Sequence, residues 1–250
     1  MVSFFCFFLI VFLIKIDSPN KIHLIFLLEK KYTFNVRFHC TCSSYLIRYK
    51  CISQFEHVRQ GDESMHSIIL ASSSPRRQEL LSLLQIPFRV HSSDIDEFIP
   101  HDIEAEEAVV QLAERKAKAV ATQFTEEIII GSDTVVVCNG KILGKPVNRD
   151  DAFSMLRQLS GREHRVLTGV AIVKGDKVKS FYEETEVTFW ELTDSDITSY
   201  LDSGEPFDKA GSYGIQGFGS LFVKKINGDY FSVVGLPVSR LSRELKHFQE

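Results

Sequence analysis

From residue 65 onward this 250-residue chain has a single cysteine, Cys138; the other four (Cys6, Cys40, Cys42 and Cys51) all precede it. The larger part therefore cannot close an internal disulfide, which suits a reducing compartment. Cys40-Thr41-Cys42 lacks a matching His or Cys pair at zinc spacing, so a structural zinc is not expected. Basic charge is also scarce. Residues 1–64 carry 8 Lys and Arg against 5 Asp and Glu, while the rest carries 21 against 28, a net of −7. An acidic body of this kind excludes a general nucleic-acid surface, which needs clustered cations. Met1–Ile14 is nearly all apolar but falls short of the ~20 residues a membrane-spanning helix needs. It has no basic segment ahead of it and no clear small-residue cleavage site, so it makes a poor signal peptide. There is no internal repeat and no low-complexity tract, and the glycines fit neither the dinucleotide-binding nor the P-loop spacing.

What is present divides near residue 64. Residues 65–250 read as one domain, with Met65 just ahead of the first core strand. Residues 1–64 read as an N-terminal extension, either an upstream segment foreign to the native chain or a weak targeting or anchor segment, the former preferred. Between Lys30 and Gln60 no sustained period emerges. In the larger part, short β-rich runs alternate with helical patterns, which marks an α/β domain. Strands are expected at 67–71, 88–91, 127–130, 134–138, 164–173 and 178–190, with a hairpin of 221–226 and 230–234 turning at Asn227-Gly228. Helices are expected at 75–84, 103–123, 149–159, 194–203 and 237–248.

Several polar groups stand out against this frame. Ser74 and Pro75 read as N-cap and first residue of a helix, which places Arg76 and Arg77 in its first turn. Cations are misplaced beside the positive end of a helix unless an anion such as a polyphosphate joins them; solvated surface arginines are the plainer reading. At 100° per residue, Ala105, Ala108, Val109, Leu112 and Ala119 form one apolar face, and Lys116 lands in its middle. It must snorkel to the edge or meet a buried anion. The strand from Glu127 reads as ending in Gly131-Ser132-Asp133-Thr134, which leaves Asp133 at a strand's carboxyl end to bind a cation, to activate water or merely to cap a turn. Lys145 sits on a stiff Gly144-Lys145-Pro146 loop, and the acidic run Asp94-Ile95-Asp96-Glu97 is either a solvated loop or a source of Glu97 or Asp96 to join Asp133 around magnesium. Three glycines from Lys209 to Gly217 (Gly211, Gly214 and Gly217) make a ligand-contacting loop plausible, with Gln216 able to read a base edge.

Taken together, Ser72-x-Ser74-Pro75-Arg76-Arg77, Lys116 in its Ala-rich helix, Gly131-Ser132-Asp133-Thr134, Gly144-Lys145-Pro146, Ser160-Gly161 and Asp208-Lys209-Ala210-Gly211 resemble the Maf family of nucleoside triphosphate pyrophosphatases. The resemblance runs from Met65 to about Phe248. It implies an elongated mixed β-sheet flanked by helices, with two lobes and a central cleft, like that of inosine triphosphatases. It implies metal-dependent hydrolysis of a nucleoside triphosphate to monophosphate and pyrophosphate, with magnesium, manganese or cobalt as cofactor. Asp133 would be the proton acceptor, Asp133 and Glu97 would hold the metal, and Ser74, Arg76, Lys116 and Lys145 would hold the triphosphate. Residues matching Arg77, Thr134 and Gln216 set pyrimidine selection in the branch acting on dTTP and UTP, which Tyr213-Gly214-Ile215-Gln216-Gly217 resembles. The alternatives are a 7-methyl-GTP or other modified-nucleotide pyrophosphatase, or a non-catalytic nucleotide-binding regulator of cell division. A nucleotide is the expected partner, with no nucleic acid or membrane. Family members are often homodimers, and a cytoplasmic location is expected.

Overall fold

The computed structural model describes strands at 11–18, 21–28, 32–39 and 52–53 and, from 67 to 249, every residue except 94, 99, 101 and 102. The chain divides into two compact units, Met1–Ser64 and Met65–Glu250. The first holds β1 (Val11–Ser18), β2 (Lys21–Leu28), β3 (Tyr32–His39) and β4 (Ile52–Ser53), antiparallel in that order. No sustained period was expected between Lys30 and Gln60. Yet β3 alternates Phe34, Val36 and Phe38 with Asn35, Arg37 and His39, the period of two that a pleated strand produces. Residues 1–10 of the apolar run, on which the targeting or anchor reading rests, lie outside the described residues. Among the described residues, no helix is long and apolar enough to cross a membrane.

The second unit contains β5 (Ile68–Leu70), β6 (Phe88–Val90), β7 (Ile128–Cys138), β8 (Lys141–Leu143), β9 (Glu163–Lys174), β10 (Lys177–Phe189) and β11 (Val223–Asn227). They form one sheet in the order β11-β10-β9-β7-β5-β6, with β8 also paired to β7. β5 runs parallel to β6 and β7, and the other pairs are antiparallel, so the sheet is mixed, as expected. The helices are α1 (Pro75–Ser82), α2 (Ala105–Ala121), α3 (Arg149–Leu159), α4 (Asp194–Asp202), α5 (Tyr230–Val234) and α6 (Val238–Gln249).

Strand alternation sorts the core by face. Ile69, Ile129, Ala171 and Val173 meet Ala113, Ala117 and Val120 of α2 on one side. Ile68, Leu70, Ile130 and Val170 meet Leu80 and Leu81 of α1 and Leu241 and Leu245 of α6 on the other. Further along that second face, Val136, Cys138 and Val166 pack with Leu156 and Leu159 of α3 and Leu201 of α4. Two core clusters thus share that face.

Two glycines let α2 lie directly on the sheet. A Cβ on Gly131 would stand 2.2 Å from the Ala113 carbonyl oxygen, and one on Gly169 would stand 2.2 Å from that of Val109. This close seat explains the first departure from the sequence reading. Gly131 does not end a strand: β7 continues through Ser132, Asp133 and Thr134, paired with β9 throughout. The second departure is Tyr230–Val234, expected as a strand from its aromatic and β-branched residues. It is a helical turn, capped where the Asp229 carboxylate accepts from the Phe231 N–H at 2.9 Å and ended by Gly235 at φ 128°. β11 accordingly pairs with β10 and forms no hairpin at Asn227-Gly228. The three-residue β8 was not expected at all.

Candidate active site

β7 is paired along one edge with β9 from Ile129 to Val137. On its other edge the register with β5 ends at Ile130, and β8 pairs only from Val136 onward. Among the described residues, Gly131–Val135 thus faces no strand on that edge. Asp133 and Thr134, at the centre of the gap, line a cleft of about 580 Å³. Because side chains alternate, Asp133 points to the α2 side and Thr134 to the α1 side.

On the α2 side, Lys116 is only 8% exposed and Asp133 only 9%. The Lys116 ammonium donates to Asp133 Oδ1 at 2.5 Å and pairs with Glu97 Oε1 at 2.6 Å. The cation on the apolar helix face thus meets two carboxylates and does not snorkel. Lys145 Nζ lies 3.6 Å from the other Glu97 oxygen. Burial by itself would raise the Glu97 pKa, but the hydrogen bond and charge of Lys116, aided by Lys145, hold it below the ordinary carboxylate value. Glu97 sits on the loop before α2, and Arg115 pins that loop by donating to the carbonyls of Asp96 at 3.1 Å and Phe98 at 2.9 Å.

On the α1 side, Ser74 is the N-cap; its hydroxyl accepts from the Arg77 N–H at 3.5 Å, and no acidic residue occupies the first turn. Arg77 folds inward. Its Nε donates to the Gly235 carbonyl at 2.9 Å, one terminal nitrogen to Ser72 Oγ at 3.4 Å and the other to Thr134 Oγ1 at 3.1 Å. Burial lowers the Arg77 pKa, an effect opposed by the nearby Asp133 charge; an arginine stays charged regardless. Arg76 crosses the cleft mouth to Asp208 Oδ2 at 3.1 Å. Asp208 is also held by Lys209 at 2.6 Å.

Gln216 is exposed at the cleft on the glycine-rich loop. Its neighbours are tethered: the Tyr213 hydroxyl meets His164 Nε2 at 2.8 Å, and the Gly214 N–H donates to the Tyr200 hydroxyl at 3.1 Å. Glu205 accepts from the N–H of Phe218 at 3.0 Å and from the Tyr200 hydroxyl at 2.9 Å. Burial drives the His164 pKa down to about 4.

The cleft gathers Ser74, Arg76, Arg77, Glu97, Lys116, Asp133, Thr134, Lys145 and Gln216, so all nine residues assigned a site role from sequence line one space, while Asp96 of the acidic loop does not. Sequence reasoning missed the Gly235 carbonyl in the cleft wall and two residues that hold the lining from behind it, Arg115 and Thr168. Arg115 reads as an ordinary outward helix residue, and the Gly235 contact uses backbone that no side-chain pattern reveals. Thr168 carried a faint signal, a lone hydroxyl in the apolar run Val166–Val173.

The family described as "Maf-like protein" matches residues 67–248. The chain belongs to the Maf-like family. Among the curated Maf-like relatives, a dTTP/UTP pyrophosphatase from Bacillus cereus is 55% identical over 192 residues, 77% of this chain and 95% of its own length. A Bacillus anthracis protein of the same name is 55% identical over 184 residues, 74% of this chain and 96% of that protein. Among solved structures, a HAM1 protein from Coxiella burnetii is a more distant likeness. It is 17% identical, with a TM-score of 0.42, across 73% of this chain and 100% of that one.

Proposed function

We propose that this chain hydrolyses nucleoside triphosphates, dTTP and UTP in preference, to the monophosphate and pyrophosphate. The observation that carries the reading is the meeting of Lys116, Asp133 and Glu97 in the same cleft as the two arginines of the α1 first turn. The names of the 55% identical relatives support the substrate.

In this reading Asp133 takes the proton of the attacking water while the bond to the departing pyrophosphate breaks. Lys116 keeps two adjacent carboxylates compatible before substrate arrives. Arg76 exchanges Asp208 for a phosphate oxygen, joined by Lys145 and by the N–H groups and Ser74 hydroxyl at the start of α1. Most of the rate enhancement comes from positioning and charge, as is general for phosphoryl chemistry.

The donor set fits a divalent metal. Glu97 and Asp133 already share one cation, the Lys116 ammonium, and both offer the hard oxygens that magnesium, manganese or cobalt accepts. Among the described residues no group of three or more His, Cys, Asp or Glu converges as a cage. Two carboxylates completed by substrate phosphates and water is the usual magnesium arrangement. Such an ion would offset charge on the phosphates. A cytoplasmic location and a homodimer belong to the same reading. They rest on the sparse cysteine of residues 65–250 and on the family resemblance.

The test is pyrophosphate release by the full chain with magnesium or manganese across dTTP, UTP, CTP, GTP, ATP and 7-methyl-GTP. Preference for dTTP and UTP is expected. Release from 7-methyl-GTP alone would overturn the base assignment, and release from none of them would overturn the enzyme assignment.

A further inference from the structure

A one-way chain of hydrogen bonds begins at Arg77, crosses β7 and β9 and ends at a buried carbonyl of α5. Arg77 donates to Thr134 Oγ1 at 3.1 Å. Thr134 Oγ1 lies 2.9 Å from Thr168 Oγ1, its register partner on β9. Thr168 Oγ1 lies 2.7 Å from the Ser232 carbonyl oxygen on α5. A carbonyl can only accept, and a threonine hydroxyl has one proton, so Thr168 spends its proton on Ser232. The bond between the two threonines must then be donated by Thr134. With that proton gone, and an arginine able only to donate on its other side, Thr134 Oγ1 can offer the cleft nothing but a lone pair. Thr168 has no exposed surface, so water cannot step in and reverse the order.

We infer that Thr168 is a positioning residue for base selection: it fixes Thr134 as an acceptor, which suits the N3–H donor of uracil and thymine and opposes the bare N3 of cytosine. The inference rests on the pyrimidine reading above. Arg77 completes the match. Its five N–H groups commit three to Gly235, Ser72 and Thr134, and the guanidinium beside Thr134 is a donor suited to a carbonyl flanking N3. The edge presented is donor beside acceptor, the complement of an imide's carbonyl beside N–H. A cytosine held at the same depth by its ribose and triphosphate would set its N3 lone pair against that of Thr134. Gly235 makes room for this edge, since a Cβ there would stand 3.4 Å from Arg77 Nε and 3.6 Å from Thr134 Oγ1.

The experiment compares kcat/KM for UTP and CTP in the full chain, in Thr168→Val and in Thr168→Ser, with melting temperature followed in parallel. Valine keeps the shape but frees the Thr134 proton to turn toward the base. The UTP-to-CTP ratio should fall about tenfold or more, the scale of one misdirected hydrogen bond in a buried site. Serine should restore the ratio. A merely structural role would lower both substrates together and leave the ratio unchanged, and that result overturns the inference while leaving the pyrimidine reading intact. A wild-type chain that does not favour UTP over CTP overturns both. Should Thr168→Val fail to fold, neutron diffraction of the deuterated wild-type protein decides the matter. The Thr134 deuteron is expected on the line to Thr168; finding it aimed at the cleft overturns the inference.

Discussion

Replacing Gly131 with alanine would test whether the seat of α2 on the sheet sets the catalytic geometry. The new Cβ would stand 2.2 Å from the Ala113 carbonyl oxygen, 2.9 Å from the Ala117 nitrogen and 3.0 Å from the Ala117 Cβ. These atoms bracket Lys116 on the same helix, and none is the yielding tip of a long side chain. To reach ordinary contact the helix must retreat by about 1 Å, an overpacking cost of roughly 1–3 kcal/mol. For a unit of this size that corresponds to a melting temperature lower by roughly 2–12 °C. The same retreat draws the Lys116 ammonium from 2.5 Å to about 3.5 Å from Asp133, the far edge of hydrogen-bond range. Misplacement on that scale costs up to about 100-fold in kcat. Calorimetry together with steady-state pyrophosphate release would show both effects. A variant that melts with wild-type protein and keeps its kcat would refute the claim that the glycine is needed for this approach.

Other perturbations separate the roles assigned in the cleft. Asp133→Asn should lower kcat by about 10²–10⁴ while triphosphate binding, followed calorimetrically, stays largely intact; strong residual hydrolysis would remove Asp133 from the base role. Gln216→Glu should weaken use of UTP and dTTP without moving the melting temperature, and unchanged base preference would sink its part in selection. His164 should make stability fall in mild acid. Its folded pKa of about 4 lies below the unfolded value of about 6.5, so the unfolded chain takes up the proton first. Stability is therefore fully present above about 6.5 and declines as pH falls toward 4, by about 3 kcal/mol from this group. His164→Gln should flatten that part of the melting-temperature profile, and an unchanged slope would assign it to other groups.

The residues most legible in the sequence were those whose chemistry conflicts with their surroundings. Lys116 on an apolar helical face and two arginines in a first turn both break local rules, and both resolve into cleft contacts. Elements whose state depends on distant partners were less legible. Gly131 looks like a strand breaker unless one knows that a helix lies against it. Tyr230–Val234 has strand composition, yet the Asp229 cap and the Thr185–Ser232 hydroxyl contact at 2.9 Å hold it as a helical turn. Thr168 left only the faint signal of a lone hydroxyl in an apolar run, because the role inferred for it depends on which way a proton points, a property of the folded network and not of the residue.

In the proposed function, the gap along β7 puts water activation and base reading on neighbouring residues of one strand. Asp133 and Thr134 are adjacent in the chain, and the pleat alone sends one toward α2 and the other toward α1. Point substitutions elsewhere in the core leave that division of labour standing. Loss or gain of one residue between Gly131 and Asp133 inverts it, turning the carboxylate toward Arg77 and the hydroxyl toward Lys116. This stretch should therefore accept changes of side chain far more readily than any change of length.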